Sequence, residues 1–538
     1  MCGIAAIFFH APEDQEWAQQ AVDTMLDHIG YRGFRALTRS GVVGLSVMGC
    51  VRLPVRDPIG GDQPSFNSDG SVAALLNGEI YNLERFDGIV DTGMNSDTAL
   101  LPYLYRESAR SAPDEERLLQ CRGMYGIILH DTGAKPATAK ILRDHVGIKP
   151  LFMAKSPKGI LFASEPKAFS GQSCDSIREI KPGELLTLAH ENGKWSETET
   201  KDVRHKLLAS SAAGSDLSAP ALRSVISRAV ASQWPGEDLP VAVLCSGGID
   251  SSIVTLELAA HRTERQPLAA YTACCLDSSS ASASADLASA QSLCKSLGIP
   301  QREVQITYDD LFNVLADVIY HVETFEPNIV RNSAIQYHIM RQIAADGFRV
   351  AFCGEGADEL FWGYADFAQA SNPTELSRHL LTDLHRTQLQ RVDRIGMAHT
   401  VEVRVPLLDE SVVHFSQNLP SQAKLLTTCG IWMGKGILRE AYAGRLPDEV
   451  VLRRKATLAY GAGFGGVEMN DDPMNSRASQ LLSARGVTAA SVMRKFPSAF
   501  PPGTGNAERA LYVQIYDSLG FCMPANYDPP KVAKLERT

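Results

Sequence analysis

No CxxC pair and no regular cysteine spacing occurs in this chain, although it holds 11 cysteines among 538 residues. That pattern argues against both a disulfide framework and a zinc module. No apolar run reaches the roughly 18 residues that would suggest a membrane-crossing helix. The opening "MCGIAAIFF" lacks a positive leader and runs into "HAPEDQEW", so a signal peptide is not expected. Basic clusters such as "LRRK" are short and isolated, and the formal charge is -10, which speaks against a nucleic-acid partner. A Walker A loop, GxxxxGK[ST], is missing, as are internal repeats and long low-complexity tracts. With 44% hydrophobic and 21% charged residues, the chain reads as a reduced, cytosolic enzyme with no membrane partner. Its length suggests two to four domains.

Two grammars divide the sequence. Up to about residue 200, short apolar runs alternate with Gly, Asn and Asp, as in "SVAALLNGEIYNL", "GMYGIILHD" and "AKILRDHVGIKPLF". This is strand-and-turn language. The Ser/Ala/Gly-rich "HKLLASSAAGSDLSAP" then supplies a linker. Beyond it, strand and helix alternate. "ALRSVISRAVASQW" puts Leu222, Val225, Ile226, Ala229 and Val230 on one helical face, and "LPVAVLC", "PLAAYTACC", "REVQIT" and "FRVAFC" read as strands between helices. Such units imply a parallel sheet whose ligands sit at the carboxyl ends of its strands.

"VLCSGGIDSS" is the most informative stretch. An apolar strand ends at Cys245; Ser246, Gly247 and Gly248 turn it, and Asp250 and Ser251 open a helix. Two glycines and a helix N-terminus make a pyrophosphate cradle, with Asp250 bridged to phosphate through Mg²⁺. An ordinary Asp/Ser helix cap explains fewer of these residues. "FCGEGADELFWGY" places Glu355, Asp358 and Glu359 just past another strand end, and Asp358 is a candidate second ligand for the metal. "YGAGFGG" fits GxGxxG at Gly461, Gly463 and Gly466, but no strand precedes it, so a loop is expected there. At the other end, Cys2 directly follows the initiator methionine. Removing that methionine would leave a thiol nucleophile and an α-amine base on one residue. A small residue opening the buried strand "GIAAIFF" is the plainer reading of those nine residues alone.

The stretches "MCGI", "NGEIYN", "NSDT", "RDHVGIKPLF", "ASEPKA", "SGGIDSS", "VIYHVETFEP", "CGEGADE", "VEVRVPLLD" and "RRKA" together resemble the glutamine-dependent asparagine synthetase B family, in its order and over nearly the whole chain. The resemblance implies an α+β N-terminal-nucleophile glutaminase domain of antiparallel sheets, residues 1–205. It also implies an α/β parallel-sheet PP-loop synthetase domain, residues 215–538. By that resemblance Cys2 attacks the glutamine amide and Asn77 with the Gly78 amide forms the oxyanion hole. Arg52 clamps the glutamine α-carboxylate, while Asn77, Glu79 and Asp97 complete the glutamine site. ATP contacts fall to Leu244, Ser246, Gly247, Gly248, Asp250, Ser251, Ala273, Cys353 and Gly354. Asp250 and Asp358 hold Mg²⁺, and Glu355 and Lys455 act at the acyl-adenylate. Glu402 and Arg404 frame the site or pair structurally. The substrates implied are glutamine, ATP and a small carboxylic acid, aspartate by default. The acid becomes acyl-AMP, and ammonia released from glutamine travels through the protein to attack it. A homodimer is the assembly implied.

Departures from the family pattern mark where this chain differs. "GYRGFR" stands for RHRGPD and "RLPVRD" for RLSIVD, which bears on glutamine affinity. Cys353 replaces a common serine. "ETFEPNIVRNS" keeps Arg331 and Ser333, but Asn328 and Ile329 replace two threonines. Asn328 and Arg331 are thus the expected acceptor contacts, and a different acid from specialised metabolism is the rival acceptor. A β-lactam-synthetase-like cyclase is a further alternative, disfavoured by Cys2 and "NGEIYN" because a cyclase needs no ammonia.

Overall fold

The computed structural model describes residues 2–57, 60–86, 96–108, 110–209, 216–236, 239–263, 266–277, 281–428, 431–465 and 472–523. Of the linker stretch 205–220, residues 210–215 lie outside them, and its start belongs to the helix Arg204–Ala209. The chain divides into two compact units. The first holds Met1–Asp216, Ser232–Gly236 and Leu408–Gln417; the second holds Leu217–Ala231, Glu237–Leu407 and Asn418–Thr538.

In the first unit twelve strands form two antiparallel sheets: β1 (Cys2–Phe9), β2 (Thr38–Val43), β3 (Ser46–Arg52), β4 (Ser65–Phe66), β5 (Val72–Ile80), β6 (Gly123–Asp131), β7 (Thr138–Arg143), β8 (Phe152–Ser156), β9 (Gly159–Ala163), β10 (Ser176–Glu179), β11 (Glu184–Glu191) and β12 (Lys194–Asp202). One sheet runs β10-β8-β9-β1-β3-β2 and the other β12-β11-β7-β6-β5-β4. Strand period two explains the layers. Ile4, Ala6, Phe8 and Met48 meet Ala73, Leu75 and Ile128 between the sheets. The alternate residues Ala5, Ile7 and Phe9 pack outward against the helix Gln15–His28. Val72, Ala74 and Leu76 pack outward against the helix Asp97–Tyr105. Both faces of β1 and β5 are therefore covered, which is why their sequences are nearly continuous apolar runs.

The second unit carries the parallel sheet β15-β14-β13-β16-β17, formed by β13 (Val241–Leu244), β14 (Leu268–Cys275), β15 (Gln301–Ile306), β16 (Val350–Phe352) and β17 (Glu402–Arg404). Helices Ala219–Ser232, Ile249–His261, Ala281–Ser296 and Pro327–Ala345 accompany it. The helix Ala219–Ser232 buries Leu222, Val225, Ile226, Ala229 and Val230, the face its periodicity marks. The strand order reverses direction at β13, so the crevice between the ends of β13 and β16 is the switch point where ligands of such sheets bind. Gly461 closes the short helix Leu458–Gly461 with no strand in front of it; Gly466 lies outside the described residues. No described helix is long and apolar enough to cross a membrane.

Candidate active sites

In the first unit, strand parity gathers the expected residues at one end of the sandwich. Cys2 lies on the inner face of β1 with Ile4 and Ala6. On β5 the inner face is that of Ala73 and Leu75, and the same parity carries Asn77 and Glu79. On β3 the inner face continues from Met48 and Cys50 to Arg52, which is register-paired with Cys2. The Cys2 backbone nitrogen donates to Asn77 Oδ1 at 3.4 Å. The amide Nδ2 of Asn77 is buried and has no hydrogen-bond partner among the described residues. Gly78 has φ +145, and a Cβ there would come within 1.9 Å of the Met124 carbonyl oxygen, so no other residue fits.

Asp97 opens the helix Asp97–Tyr105 behind an N-cap serine, Ser96. Its Oδ2 accepts from Ile80 N at 3.0 Å and its Oδ1 from Thr98 N at 2.8 Å, which ties it to the end of β5 next to Glu79. Burial raises its pKa against those backbone bonds. The Arg52 guanidinium is 3.3 Å from Asp62 and donates to the Asp57 carbonyl.

Sequence reasoning missed Gln63, whose Nε2 lies 3.5 Å from the Cys2 sulfur while its own amide exchanges hydrogen bonds with the Leu76 backbone. The "GYRGFR" stretch also acquires a role, through Arg32, which keeps the family residue, and Tyr31, which departs from it. Arg32 donates to the Cys2 carbonyl at 3.3 Å and pairs at 2.5 Å with Glu165. Tyr31 and Lys167 bind the same carboxylate. "ASEPKA" thus anchors the strand end that carries the thiol.

In the second unit the two strand-end loops touch. Leu244 ends β13, and Ser246, Gly247 and Gly248 lead into the helix Ile249–His261. Ser251 Oγ accepts from Ser246 N at 3.1 Å, and Gly248 N donates to Ser246 Oγ at 3.4 Å, bracing the turn. No side chain caps the first turn of that helix, contrary to the plain Asp/Ser cap. Cys353 and Gly354 follow β16, and a Cβ on Gly354 would lie 2.7 Å from the Asp250 carbonyl carbon and 2.8 Å from Ser251 N. Glycine is what lets "CGEG" lie on "GIDSS". Ala273 is on the neighbouring β14.

Four charges meet at this contact. Lys435 Nζ lies 2.6 Å from both Asp250 Oδ2 and Asp358 Oδ1, and Lys455 Nζ lies 2.6 Å from Asp358 Oδ2. Burial opposes ionisation of Asp358, yet the two ammonium groups outweigh it and hold the carboxyl at about 2. Asp250 is raised, burial and the Asp358 charge exceeding its share of Lys435. Lys435 was not foreseen, nor was Arg391, which reaches Glu355 at 2.5 Å and also binds Gln336. Glu359 is pushed up to about 7 by burial and by Asp358, and accepts from the Tyr364 hydroxyl at 2.7 Å.

One expectation changes, and one open alternative closes. Arg331, expected to hold the acceptor carboxylate, is fully buried and already engaged by protein carboxylates. Its Nε and Nη2 donate to Glu508 at 3.0 and 2.7 Å, and it also pairs with Asp472. A guanidinium fork filled this way has no place for a substrate carboxylate. Glu402 and Arg404 pair with each other at 2.6 Å, fully buried on β17, so they brace the sheet edge. Asn328 stands in the first turn of the helix Pro327–Ala345, its carbonyl accepting from Asn332 at 2.7 Å.

Residues 1–211 match the model of the glutamine amidotransferase domain, and residues 221–381 and 365–499 match that of asparagine synthase. An amidotransferase unit joined to a synthetase unit is the class so defined. The chain is 30% identical over 546 residues to asparagine synthetase B [glutamine-hydrolyzing] of Escherichia coli (strain K12), covering 98% of this chain and 92% of that one. It is 26% identical to the asparagine synthetase [glutamine-hydrolyzing] of Brassica oleracea, over 96% and 86% of the two chains. The chain belongs to the asparagine synthase family.

Proposed function

We propose that this chain transfers the amide nitrogen of glutamine to the side-chain carboxyl of aspartate at the expense of ATP. The observation that carries the reading is that one chain holds both a buried thiol beside an unpartnered amide donor and a charge cluster at the switch point of a parallel sheet. Aspartate and ATP give aspartyl-AMP and pyrophosphate. Glutamine and water give glutamate and ammonia. Ammonia then displaces AMP to give asparagine.

At the first site, Cys2 freed of Met1 attacks the glutamine amide carbon, its α-amine taking the proton. The Asn77 Nδ2 and the Gly78 amide receive the charge appearing on oxygen. Arg52 takes the glutamine α-carboxylate, and Glu79 and Asp97 its amino group. At the second site, the turn Ser246–Gly248, with Asp250 and Ser251, cradles phosphate. Leu244, Ala273, Cys353 and Gly354 border the nucleotide. Lys435 and Lys455 neutralise phosphate charge, and Glu355, steadied by Arg391, faces the acyl centre. Asn328 is the remaining candidate contact to the acceptor.

Mg²⁺ fits this cluster: Asp250 Oδ1 is buried without a hydrogen-bond partner. Among the described residues no group of three or more His, Cys, Asp or Glu side chains could hold a metal, which suits a cation that takes one or two carboxylates and leaves the rest of its coordination to waters and substrate phosphates. Asp250 and Asp358 would hold it, and when bound it would offset pyrophosphate charge.

The test supplies amide-¹⁵N glutamine, ATP and aspartate and follows the label with pyrophosphate release. Labelled asparagine with matching pyrophosphate supports the proposal. Pyrophosphate released with another acid and not with aspartate would move the acceptor, and hydrolysis of glutamine with no adenylation of any acid would remove the synthetase reading.

A further inference from the structure

We infer, on the reading of Lys435 and Lys455 as phosphate contacts, that Arg439 is a positioning residue for both: its guanidinium gathers the backbone that carries the one and the backbone that carries the other. Neither lysine sits in regular structure, because residues 433–435 and 453–457 lie outside every helix and strand. Lys435 is moreover in the left-handed region, with φ +55, and follows Gly434 at φ +56. A long side chain in that conformation carries strain and persists only where its surroundings fix it from several sides. The Lys435 amide donates to the Phe361 carbonyl at 2.9 Å, and the Lys435 carbonyl accepts from Arg439 N at 3.0 Å. A Cβ on Gly434 would come within 2.1 Å of the Trp362 carbonyl oxygen, so the turn before Lys435 is packed tightly against the end of the Asp358 helix.

The Arg439 side chain supplies the remaining ties. It stands in the helix Gly436–Tyr442 and is 3% exposed. Its Nε donates to the Gly434 carbonyl at 2.9 Å and its Nη2 to the Met433 carbonyl at 3.0 Å, the two residues before Lys435. Nη2 also donates to the Arg453 carbonyl at 3.1 Å, and Nη1 to the Val451 carbonyl, two and four residues before Lys455. One planar fork thus spans two segments, which the compact ammonium of a lysine would not do. Arg453 extends the ties to the phosphate cradle: its guanidinium donates to the Ser246 carbonyl at 3.3 Å and pairs with Asp286. Arg331, equally buried, is matched by the carboxylates of Glu508 and Asp472. The four side-chain acceptors of Arg439 are all backbone carbonyls, and among the described residues no carboxylate pairs with it. Asp250 and Asp358 favour its charge against burial without pairing with it. Burying an unmatched cation is unfavourable, and the arrangement becomes reasonable at a site that receives several negative charges.

The experiment uses the full chain as wild type, Arg439→Lys and Arg439→Gln, each also combined with Lys455→Met. Adenylation is followed with α-labelled ATP at enzyme excess, so that slow variants remain measurable, using the acid that the wild type adenylates. Thermal unfolding and glutamine hydrolysis are recorded on every protein. Lysine keeps the charge and loses the fork, glutamine keeps two N–H donors and loses the charge, and either variant that folds carries the comparison. Arg439→Lys should slow adenylation about 10²-fold, the effect of displacing a reacting group by about 1 Å, and Arg439→Gln at least as much. In the Lys455→Met background the same changes should cost about tenfold or less, because one of the two groups they displace is gone. Unchanged adenylation by Arg439→Lys, or a full 10²-fold loss in both backgrounds, would overturn the positioning role. So would an equal loss of glutamine hydrolysis, or failure of both variants to fold, since either would make Arg439 a general support of the fold. Failure of the phosphate reading would look different: Lys435→Met and Lys455→Met would adenylate at the wild-type rate whatever residue stands at position 439.

Discussion

Nearest the Cys2 thiol the first unit sets neutral amides, Gln63 Nε2 at 3.5 Å from the sulfur and the unpartnered Nδ2 of Asn77, with charged groups set back from them. Around Asp250 the second unit sets two ammonium groups against two carboxylates. The contrast follows the charge each site must handle. Cleaving an amide raises a transient oxyanion, which fixed dipoles stabilise without attracting permanent counter-ions. Handling ATP means accepting several standing negative charges, which need cations already in place. Position in the first site is therefore a matter of strand parity and backbone anchoring, and in the second of charge balance.

Charge balance should be the easier of the two to break. Asp250→Asn removes one of two negative charges beside Lys435 and the unpartnered oxygen expected to meet the metal. Aspartate-dependent pyrophosphate release should fall about 10³-fold or more, several kcal/mol of lost charge stabilisation. Glutamine hydrolysis should persist. Normal adenylation by Asp250→Asn would mean that the four-charge cluster is not the phosphate site.

The dipole site should lose somewhat less. Asn77→Ala removes a single donor, and kcat for glutamine hydrolysis should drop about 10²- to 10³-fold. Ammonium-supported synthesis should not change. A rise in glutamine KM with kcat intact would make Asn77 a binding group rather than an oxyanion donor.

Arg331 sharpens the comparison from the side of stability. Arg331→Met should cost about 3–5 kcal/mol, because Glu508 and Asp472 would be left buried without their cation. Denaturant or thermal unfolding measures this directly. Combining it with Glu508→Leu should restore much of the loss. Recovered stability with aspartate turnover still abolished would return Arg331 to the acceptor site.

Why Arg331 was misjudged explains what a sequence withholds. Its carboxylate partners are 141 and 177 residues away, and nothing local announces them. Lys435 meets Asp250 across 185 residues, and Gln63 reaches Cys2 across 61. Such contacts depend on tertiary folding. Patterns that depend on neighbours were readable: the apolar face of Ala219–Ser232, the run of β13 and its glycine turn. β17 went unseen because it has three residues, two of them charged and paired with each other in the interior. The residues gathered at Cys2 came from motif resemblance, and strand parity gives the physical reason they meet.

The smallest expected effect concerns the acceptor. Restoring threonine at Asn328 and Ile329 together should raise kcat/KM for aspartate about two- to tenfold, the worth of roughly one hydrogen bond. Ile329 is buried and Asn328 only partly so, and the gain should come mainly from position 328. An unchanged or lower value would separate this helix start from acceptor choice.

On the proposed function the two sites divide the chemistry, one releasing ammonia and the other consuming it. Cys2→Ala, assayed for asparagine formation with glutamine and then with ammonium, tests it most directly. No product above background is expected with glutamine, and a near wild-type rate with ammonium. Equal loss with both nitrogen sources would contradict it.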